Sequence, residues 1–425
     1  MKQIRIQPAA LRGSLRLPPS KSDAHRALIC AALARGVSVI QPIEYSEDIL
    51  ATIRCLRQLG ARIDCQGDTV TVDGSGTFSP TFMEADCGES GSTLRFLIPI
   101  AAAGGVAARF VGHGNLPHRP IGIYLSALPE KGVRCDTAGG LPLTISGQLQ
   151  SGDYFISGDV SSQFITGLLF ALPLLSGDSR IHLTSPACSV GYIQMTLDRM
   201  RDFGVQVQIL PDGWFVPGNQ SYRPHGCQVE GDWSQAAFFL TAAALGGHIT
   251  IDNLNPRSSQ GDKACVEVYR ALGASVVWEK ERLIISPGDL HGIELSAQDI
   301  PDMVPALAAA AMAAKGKTII TGAERLRIKE CDRISAMREG ICRLGGKAEE
   351  TPDGLVIEGV PALRGGFVQG FHDHRIVMSF ACAANACRED VLISDPDSVN
   401  KSFPSFFEVY RRLGGMADVI MGPAD

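Results

Sequence analysis

The chain has 425 residues, of which 45% are hydrophobic and 20% charged, and 39 Lys and Arg against 45 Asp and Glu give a net charge of −6. This length predicts two or three domains, and the apolar content excludes a largely disordered chain. A mildly acidic total gives no long-range attraction to nucleic acid or to an anionic membrane, so we expect neither as a partner.

No segment has the pattern of a membrane span. The longest charge-free stretch, residues 160–177, contains Ser, Gln, Thr and Pro, which favours a buried helix. The N-terminus has no continuous apolar run, so we expect no signal peptide. Twelve cysteines occur without a CxxC pair, and several lie in apolar runs, which predicts reduced thiols and a cytoplasmic protein.

A glycine recurs after six predicted amphipathic helices. The intervals are 72, 72, 69, 72 and 69 residues, and the positions are Gly60, Gly132, Gly204, Gly273, Gly345 and Gly414. Glycine is the expected residue just after a helix, because that position commonly needs a left-handed backbone. Six glycines in near-constant register predict a sixfold repeat.

Strongly apolar helices recur in the same register, each with a polar or charged N-terminus. They are predicted to begin at Lys21, Ser90, Ser161, Trp233, Asp302 and His374. A helix that is apolar all round is buried, so each repeat reads as strand, buried helix, strand, amphipathic helix and hairpin (βαβαββ). Three repeats per domain would enclose a core of central helices covered by sheets and outer helices.

The boundary between domains is predicted between the third and fourth repeats. The first domain is expected at 13–229, and the second at 1–12 together with 230–425. Since the sixth repeat has no closing strand of its own, we expect the N-terminal strand to complete the second domain.

Helix N-termini carry partial positive charge and free N–H groups, so each buried helix offers an anion site. Residues 20–26 (SKSDAHR) place Lys21 and Arg26 around a hydroxyl-rich turn, although solvated charges on a capped helix would look the same. Residues 88–95 form a small-residue turn that a ligand can approach closely, without P-loop spacing. Arg119 is predicted at a helix start, where its charge opposes the dipole.

The third repeat adds further candidates. Ser161, Ser162 and Gln163, with Ser189 and Tyr192 at the next helix, suit a phosphate ester or ordinary helix capping.

In the fifth repeat, Asp302 precedes a charged segment, residues 327–333. Lys329 and Arg333 are four apart, which predicts one helical face directed at one anion, with Glu330 beside them as a proton donor. An exposed helix with ion pairs is the alternative.

The sixth repeat contains His372, His374 and Arg375, followed by Lys401. An HxH pair can bind zinc, but no further ligand has suitable spacing, so we expect no metal. No GxSxG motif supports a hydrolase triad either.

Together these segments resemble the 5-enolpyruvylshikimate-3-phosphate (EPSP) synthases, from end to end and in order. The matching motifs are residues 20–26, 90–95 (SGSTLR), 119–120, 161–163 (SSQ), 302, 326–333 (LRIKECDR), 373–375 (DHR) and 401–404 (KSFP). The resemblance implies a two-domain inside-out α/β barrel with ligands in the cleft, and a monomer without metal or cofactor. It implies transfer of the enolpyruvyl group of phosphoenolpyruvate to the 5-hydroxyl of shikimate 3-phosphate. Phosphate is released, and the herbicide glyphosate competes with phosphoenolpyruvate.

The resemblance also implies roles for individual residues. The residues implied to bind shikimate 3-phosphate are Lys21, Ser22, Arg26, Ser161, Ser162, Gln163, Ser189, Tyr192, Asp302 and Lys329. Those implied for phosphoenolpyruvate are Lys21, Gly91, Arg119, Gln163, Arg333, Arg375 and Lys401. Asp302, with Lys329 beside it, is the implied base at the hydroxyl. Glu330 is the implied proton donor at the methylene carbon, assisted by Lys21 or His374.

Two positions depart from the family pattern, and two alternatives stay open. Glu89 replaces a usual asparagine, so its carboxylate is expected to turn away from the phosphate site or pair with a cation. Arg325 occupies a position where a smaller polar residue is usual.

The first alternative is a UDP-N-acetylglucosamine enolpyruvyl transferase, which would need a cysteine that residues 112–118 lack. The second is a non-catalytic anion-binding protein of the same fold.

Overall fold

The computed structural model describes residues 2–422, which form two compact units. The first unit contains residues 19–229, and the second contains residues 2–18 and 230–422. Met1 and residues 423–425, which belong to the predicted second domain, lie outside the described residues. No helix in the described range is both long and apolar enough to cross a bilayer.

The α-helices begin close to the predicted positions. In chain order they are α1 (Lys21–Leu33), α2 (Glu47–Gln58), α3 (Gly91–Ala103), α4 (Gly122–Ala127), α5 (Ser162–Ala171), α6 (Val190–Asp202), α7 (Trp233–Ala244), α8 (Cys265–Ala271), α9 (Val304–Ala311), α10 (Arg333–Arg343), α11 (His374–Ala383) and α12 (Phe406–Arg412). The six predicted central helices are α1, α3, α5, α7, α9 and α11. Asp302 lies in a short 3₁₀ turn, Pro301–Met303, directly before α9.

The strands alternate with these helices in the predicted order. They are β1 (Lys2–Gln7), β2 (Arg12–Leu15), β3 (Val37–Gln41), β4 (Arg62–Gln66), β5 (Thr69–Asp73), β6 (Phe82–Asp86), β7 (Ala107–Val111), β8 (Val133–Asp136), β9 (Leu143–Gly147), β10 (Gly152–Ile156), β11 (Ser179–Leu183), β12 (Gln208–Leu210), β13 (Gly213–Val216), β14 (Cys227–Gln228), β15 (His248–Ile251), β16 (Ser275–Glu279), β17 (Arg282–Ser286), β18 (Glu294–Ser296), β19 (Lys317–Thr321), β20 (Lys347–Thr351), β21 (Gly354–Glu358), β22 (Gly366–Val368), β23 (Val391–Ser394) and β24 (Met416–Met421).

Each unit contains three four-stranded mixed sheets. In the first unit the strand orders are β14-β3-β5-β4, β6-β7-β9-β8 and β10-β11-β13-β12. In the second unit they are β16-β17-β15-β2, β18-β19-β21-β20 and β22-β23-β1-β24. Every sheet combines one parallel pair with two antiparallel pairs, and in five of the six the last two strands form a hairpin, as the βαβαββ repeat predicts.

The N-terminal strands pair within the second unit. Strand β1 lies antiparallel to both β23 and β24, so it completes the hairpin of the sixth repeat. Strand β2 lies parallel to β15, with Arg12 opposite His248. The predicted domain start at residue 13 is therefore wrong, and the first unit begins at Pro19. The repeat pattern places β2 with α1, whereas the first repeat receives β14 in its place.

Two separate hydrophobic cores form around the central helices. In the first unit α3 packs on α5, and α1 contacts α6; in the second, α7, α9 and α11 pack on one another. The six glycines of the repeat all have positive φ, between 82° and 110°, which confirms their predicted role at helix ends. The first turns of α1, α3, α5 and α11 carry candidate site residues.

Candidate active site

Lys21 is the first residue of α1, and an ion pair fixes its side chain. Its Nζ lies 2.6 Å from Oδ2 of Asp48, a buried residue in the first turn of α2. The pair joins the first turns of two helices. Sequence reasoning missed Asp48, because an acidic residue in a first turn is typical of any helix.

Arg26 is buried one turn further along α1, and neutral groups hold it. Its Nε donates to Thr196 Oγ1 (2.9 Å), and its terminal nitrogens donate to the backbone oxygens of Ser22 (2.6 Å) and Tyr192 (2.8 Å). Burial lowers its pKa to about 10, with Asp23 acting in the opposite direction. Arg26 thus ties α1 to α6, and part of its donor capacity is already used.

The first turn of α3 lies against a buried guanidinium. Ser90 caps the helix by accepting from the N–H of Thr93 (3.2 Å), and Gly91 is the first helical residue. A Cβ on Gly91 would lie 3.0 Å from the guanidinium of Arg119. A guanidinium facing a helix N-terminus places two positive groups together, which favours an anion there.

Arg119 does not start a helix, contrary to the prediction. It follows the 3₁₀ turn Leu116–His118 in an extended conformation, and α4 begins only at Gly122. The proline at 120 restricts the preceding residue to extended geometry, which explains the break.

Gln163 is held at both ends of its amide. Arg95 donates to its Oε1 (2.6 Å), and its Nε2 donates to Ser92 Oγ (2.9 Å). Arg95 also donates to the backbone oxygen of Pro120 (2.9 Å). The sequence-based site includes Gln163 but misses Arg95 and Ser92, which orient it.

The first turns of α5 and α6 carry the predicted serines. Ser161 caps α5, and its Oγ accepts from the N–H of Gln163 (3.3 Å), while the buried Ser162 is the first helical residue. Ser189 lies at the cap position of α6 with φ of 53°.

The loops before α5 and α6 are tied together. Cys188 N–H donates to Gly158 O (3.0 Å), and Gly158 N–H donates to Ser185 Oγ (2.9 Å). Tyr192 lies in the first turn of α6, and its ring centroid is 5.9 Å from Cζ of the Arg26 guanidinium.

Glu89 turns toward a neighbouring loop. Its Oε1 lies 3.7 Å from Nδ1 of His113, and a Cβ on Gly114 would overlap the same carboxylate. The side chain therefore lies against residues 113–114, which agrees with the expectation that it turns away.

In the second unit, Arg333 forms the centre of a cluster of carboxylates. Its Nε donates to Asp373 (2.7 Å), and its two terminal nitrogens donate to Asp302 (3.1 Å) and Glu330 (2.8 Å). Arg333 is 2% exposed. Burial alone would lower its pKa, but Asp373, Glu330 and Asp302 more than offset this and raise it.

Three basic side chains form ion pairs with Asp302. Arg375 lies 3.2 Å from Oδ2, while Lys329 Nζ lies 3.7 Å and Arg333 3.1 Å from Oδ1. Burial would raise the pKa of this carboxyl, but Arg375, Lys329 and Arg333 hold it well below its usual range.

The predicted common helical face of Lys329 and Arg333 is wrong. Lys329 ends the 3₁₀ helix Glu324–Ile328, and α10 begins at Arg333. Asp332 caps α10 by accepting from Ile334 and Ser335, so the chain changes direction between the two cations. They nevertheless meet at Asp302.

Glu330 and Lys401 form the other side of the cluster. Lys401 Nζ lies 3.7 Å from Oε1 of Glu330, and both side chains are largely buried. His374 is buried at the start of α11, with Nδ1 3.7 Å from Asp373. His372 is 84% exposed and faces Asp395, so the two imidazoles of the HxH pair point to different surroundings.

Two further buried polar residues lie in the second unit. Arg325 is buried and donates to the backbone oxygen of Gln298 (2.5 Å). It thus ties the 3₁₀ helix Glu324–Ile328 to the segment that precedes Asp302. Asp262, which sequence reasoning missed, accepts from the hydroxyl of Ser234. Burial and the charge of Asp302 raise the pKa of Asp262 to about 6.

Comparison with known proteins gives one consistent result. The family model "EPSP synthase (3-phosphoshikimate 1-carboxyvinyltransferase)" matches residues 6–410. The chain is 45% identical over 420 residues to a 3-phosphoshikimate 1-carboxyvinyltransferase of Clostridium perfringens strain ATCC 13124, covering 98% of this chain and 99% of that one. A Clostridium kluyveri protein of the same name is 42% identical over 424 residues, covering 98% and 99%. A solved EPSP synthase structure from Acinetobacter baumannii superposes with a TM-score of 0.84 at 28% identity, covering 99% and 100%.

The chain belongs to the EPSP synthase family. The two-domain inside-out α/β fold with six repeats is confirmed. These relatives support the main interpretation rather than either alternative, the UDP-N-acetylglucosamine enzyme or the non-catalytic protein.

Proposed function

We propose that this enzyme transfers the enolpyruvyl group of phosphoenolpyruvate to the 5-hydroxyl of shikimate 3-phosphate and releases phosphate. It is a transferase of the shikimate pathway and serves aromatic amino acid biosynthesis. The family membership supports the reaction, and the cluster of carboxylates around Arg333 supports the assignment of the proton-transfer residues.

The observation that carries the proposal is that Asp302 and Glu330 share one buried guanidinium. Both carboxylates accept from Arg333, on different terminal nitrogens, and each also faces a lysine. A protein that only bound anions would gain nothing from two carboxylates at its cationic centre. Two carboxylates held apart on a rigid support suit a reaction that needs an acid and a base.

The chemistry proposed for these groups has two stages. In the addition, the substrate hydroxyl loses its proton to Asp302 and its oxygen bonds to C2, while Glu330 protonates the methylene carbon. In the elimination, Glu330 takes a proton back from the resulting methyl group, the C2–O bond to phosphate breaks, and the proton held by Asp302 leaves with the phosphate. Asp302 is available to accept a proton because Arg375, Lys329 and Arg333 keep it ionised at neutral pH, although the same three charges weaken it as a base.

The remaining residues are assigned to binding. We assign the phosphate of shikimate 3-phosphate to Ser161, Ser162 and Ser189, supported by their position at the first turns of α5 and α6. The rest of that substrate is assigned to Ser22, Arg26, Gln163 and Tyr192, and Lys21 to both substrates. For phosphoenolpyruvate we assign Gly91, Arg119, Arg333, Arg375 and Lys401. His374 is proposed to assist proton transfer.

We also propose a cytoplasmic monomer. All twelve cysteines are free thiols, and most are buried among apolar side chains, which supports a reducing compartment. Light scattering of the purified protein tests the monomer; a dimer mass would contradict it.

The experiment measures phosphate release. With both substrates present, the protein should release one phosphate for each product formed, and either substrate alone should give none. Replacing shikimate 3-phosphate by UDP-N-acetylglucosamine should give no release. Release with the sugar nucleotide, or binding of both substrates without turnover, would support one of the alternatives instead.

A further inference from the structure

A buried chain of hydrogen bonds links the second turns of α1 and α2 to the first turn of α3. His25 Nδ1 lies 2.7 Å from Thr52 Oγ1, and Thr52 Oγ1 lies 2.6 Å from Thr93 Oγ1. Thr93 then donates to Ser90 Oγ (2.7 Å), the residue that caps α3 just before Gly91. All four side chains are at most 1% exposed, so the chain has no contact with bulk water.

The donor directions along these hydrogen bonds fix the tautomer of the His25 imidazole. Thr93 uses its only hydroxyl proton toward Ser90, so Thr52 must donate to Thr93, and His25 must donate from Nδ1 to Thr52. His25 is therefore the neutral tautomer with hydrogen on Nδ1. Burial lowers the pKa of His25 to about 3; Asp48 acts in the opposite direction, and Lys21 and Arg26 lower it further.

Stability alone does not account for this histidine. Its Nε2 is buried and has no hydrogen-bond partner within residues 2–422. A buried acceptor without a donor is unfavourable, and an apolar side chain would avoid that cost.

The His25–Thr52 hydrogen bond lies one helical turn from the Lys21–Asp48 ion pair. Lys21 and His25 are four residues apart on α1, and their partners Asp48 and Thr52 are four residues apart on α2. Residues at that spacing lie on one face of a helix. The two helices are thus joined by two successive contacts, the ion pair at the end and the His25–Thr52 bond one turn further in.

We propose that His25 is a positioning residue, which acts through Thr52 and Thr93 and does not touch substrate. It fixes the first turns of α1, α2 and α3 relative to one another, and so places Lys21 and Gly91 for phosphoenolpyruvate. This inference rests on the proposed function of Lys21 and Gly91. A neutral imidazole can do this without adding a third cation beside the half-buried Lys21 and the buried Arg26.

The test compares three variants with a matched control. His25→Leu removes the donor, Thr52→Val breaks the chain with little change of shape, and His25→Asn keeps an N–H close to the Nδ1 position. Thr241→Val is the control, because Thr241 is a buried threonine whose hydroxyl contacts Tyr269 and Ala306 in the core of the second unit.

We expect His25→Leu and Thr52→Val to raise KM for phosphoenolpyruvate on the order of tenfold, with kcat reduced less, because small displacements of binding groups are costly. His25→Asn should retain most of the affinity. Combining His25→Leu with Thr52→Val should raise KM no more than either substitution alone, because both break the same chain of hydrogen bonds. Thr241→Val should leave KM unchanged. If His25→Leu misfolds, the near-isosteric Thr52→Val decides. Unchanged KM in that variant, or an equal rise in the control, would overturn the proposal.

A second measurement is independent of activity. Nitrogen-15 NMR of labelled histidine, with His25 assigned by its loss in His25→Asn, should show a neutral Nδ1–H imidazole from pH 5 to 8. Protonation in that range, or hydrogen on Nε2, would overturn the proposal whatever the turnover. An inactive wild-type protein would refute the proposed function instead, so the two failures are distinguishable.

Discussion

Arg26 in the first unit and Arg333 in the second are both almost completely buried, yet their surroundings differ. Arg26 donates to a hydroxyl and two backbone oxygens, and burial lowers its pKa to about 10. Arg333 donates to three carboxylates, and its pKa is raised despite the same burial. The partners, and not the depth, decide the electrostatics of a buried guanidinium.

The difference suggests a division of labour. Neutral acceptors hold Arg26, and Asp23 offsets only part of the effect of burial on its charge, which favours an anionic ligand. The carboxylates around Arg333 compensate its charge and occupy most of its donors, so its main effect is to hold Asp302 and Glu330 in place. The first unit is thus suited to binding, whereas the second holds the proposed proton-transfer groups besides its own ligands for phosphoenolpyruvate, Arg375 and Lys401.

The strongest test of the binding side is Lys21→Met. Because Lys21 is assigned to both substrates, we expect turnover to fall on the order of a thousandfold or more. The protein should still fold, with a lower melting temperature, because the buried Asp48 loses its ion pair with Lys21. Steady-state kinetics and a melting curve check this. Lys347→Met, an exposed lysine paired with Glu358, is the control and should behave as wild type. An active Lys21→Met enzyme would remove Lys21 from the site.

The proton-transfer side is tested by Asp302→Asn and Glu330→Gln. Each should lower kcat by about a hundredfold, the usual scale for a positioned acid or base. Affinity for shikimate 3-phosphate, measured by calorimetry, should change much less for Glu330→Gln. Near-normal turnover in either variant would contradict the division of labour.

The contrast between two carboxyls of the second unit sharpens the electrostatic account. Asp262 has a pKa of about 6, so the folded protein holds a proton there between about pH 4 and 6 that the unfolded chain has released. Its contribution to stability therefore falls as pH rises through that window. The depressed pKa of Asp302 acts oppositely, since its contribution is present above about pH 4 and is lost in acid.

We accordingly expect Asp262→Asn to stabilise the protein by about 2 kcal/mol at pH 7.5, and by much less at pH 4.5. Denaturant unfolding at both values measures this. The exposed Asp289→Asn is the control. Equal effects of Asp262→Asn at both values would show that this carboxyl has an ordinary pKa.

The smallest expected effect belongs to Gly91→Ala. Its φ is not in the left-handed region, so the added methyl does not strain the backbone, but it meets the Arg119 guanidinium at 3.0 Å. We expect KM for phosphoenolpyruvate to rise on the order of threefold to tenfold, and the inhibition constant of glyphosate, the longer ligand, to rise further. An unchanged ratio of the two constants would mean that Gly91 does not border the ligand.

Features with a regular period could be predicted from the sequence. The repeat glycines and the polar starts of the central helices recur about every 70 residues, and five of the six starts agree with the structure to within one residue. The fold, with its six sheets, follows from that register. The first domain boundary could not be predicted, because β2 pairs with a strand more than 230 residues away.

Long-range contacts also explain what the candidate site lacked. Asp48 and Arg95 lie in ordinary helical patterns, and only the fold brings them to Lys21 and Gln163. The four-residue spacing of Lys329 and Arg333 suggested one helix, but Asp332 caps a new helix between them. They converge on Asp302 through tertiary structure, which residue spacing does not report.

The central claim, reversible proton transfer at the methylene carbon by Glu330 with Asp302 as base, is tested most directly by hydrogen exchange. The reaction would be run in D₂O with both substrates, and the vinyl protons of phosphoenolpyruvate and product followed by NMR. Deuterium should enter the vinyl group during turnover, because a methyl group forms and then loses a proton. In Glu330→Gln the exchange should fall together with turnover. Product formed without any deuterium in its vinyl group would contradict the account.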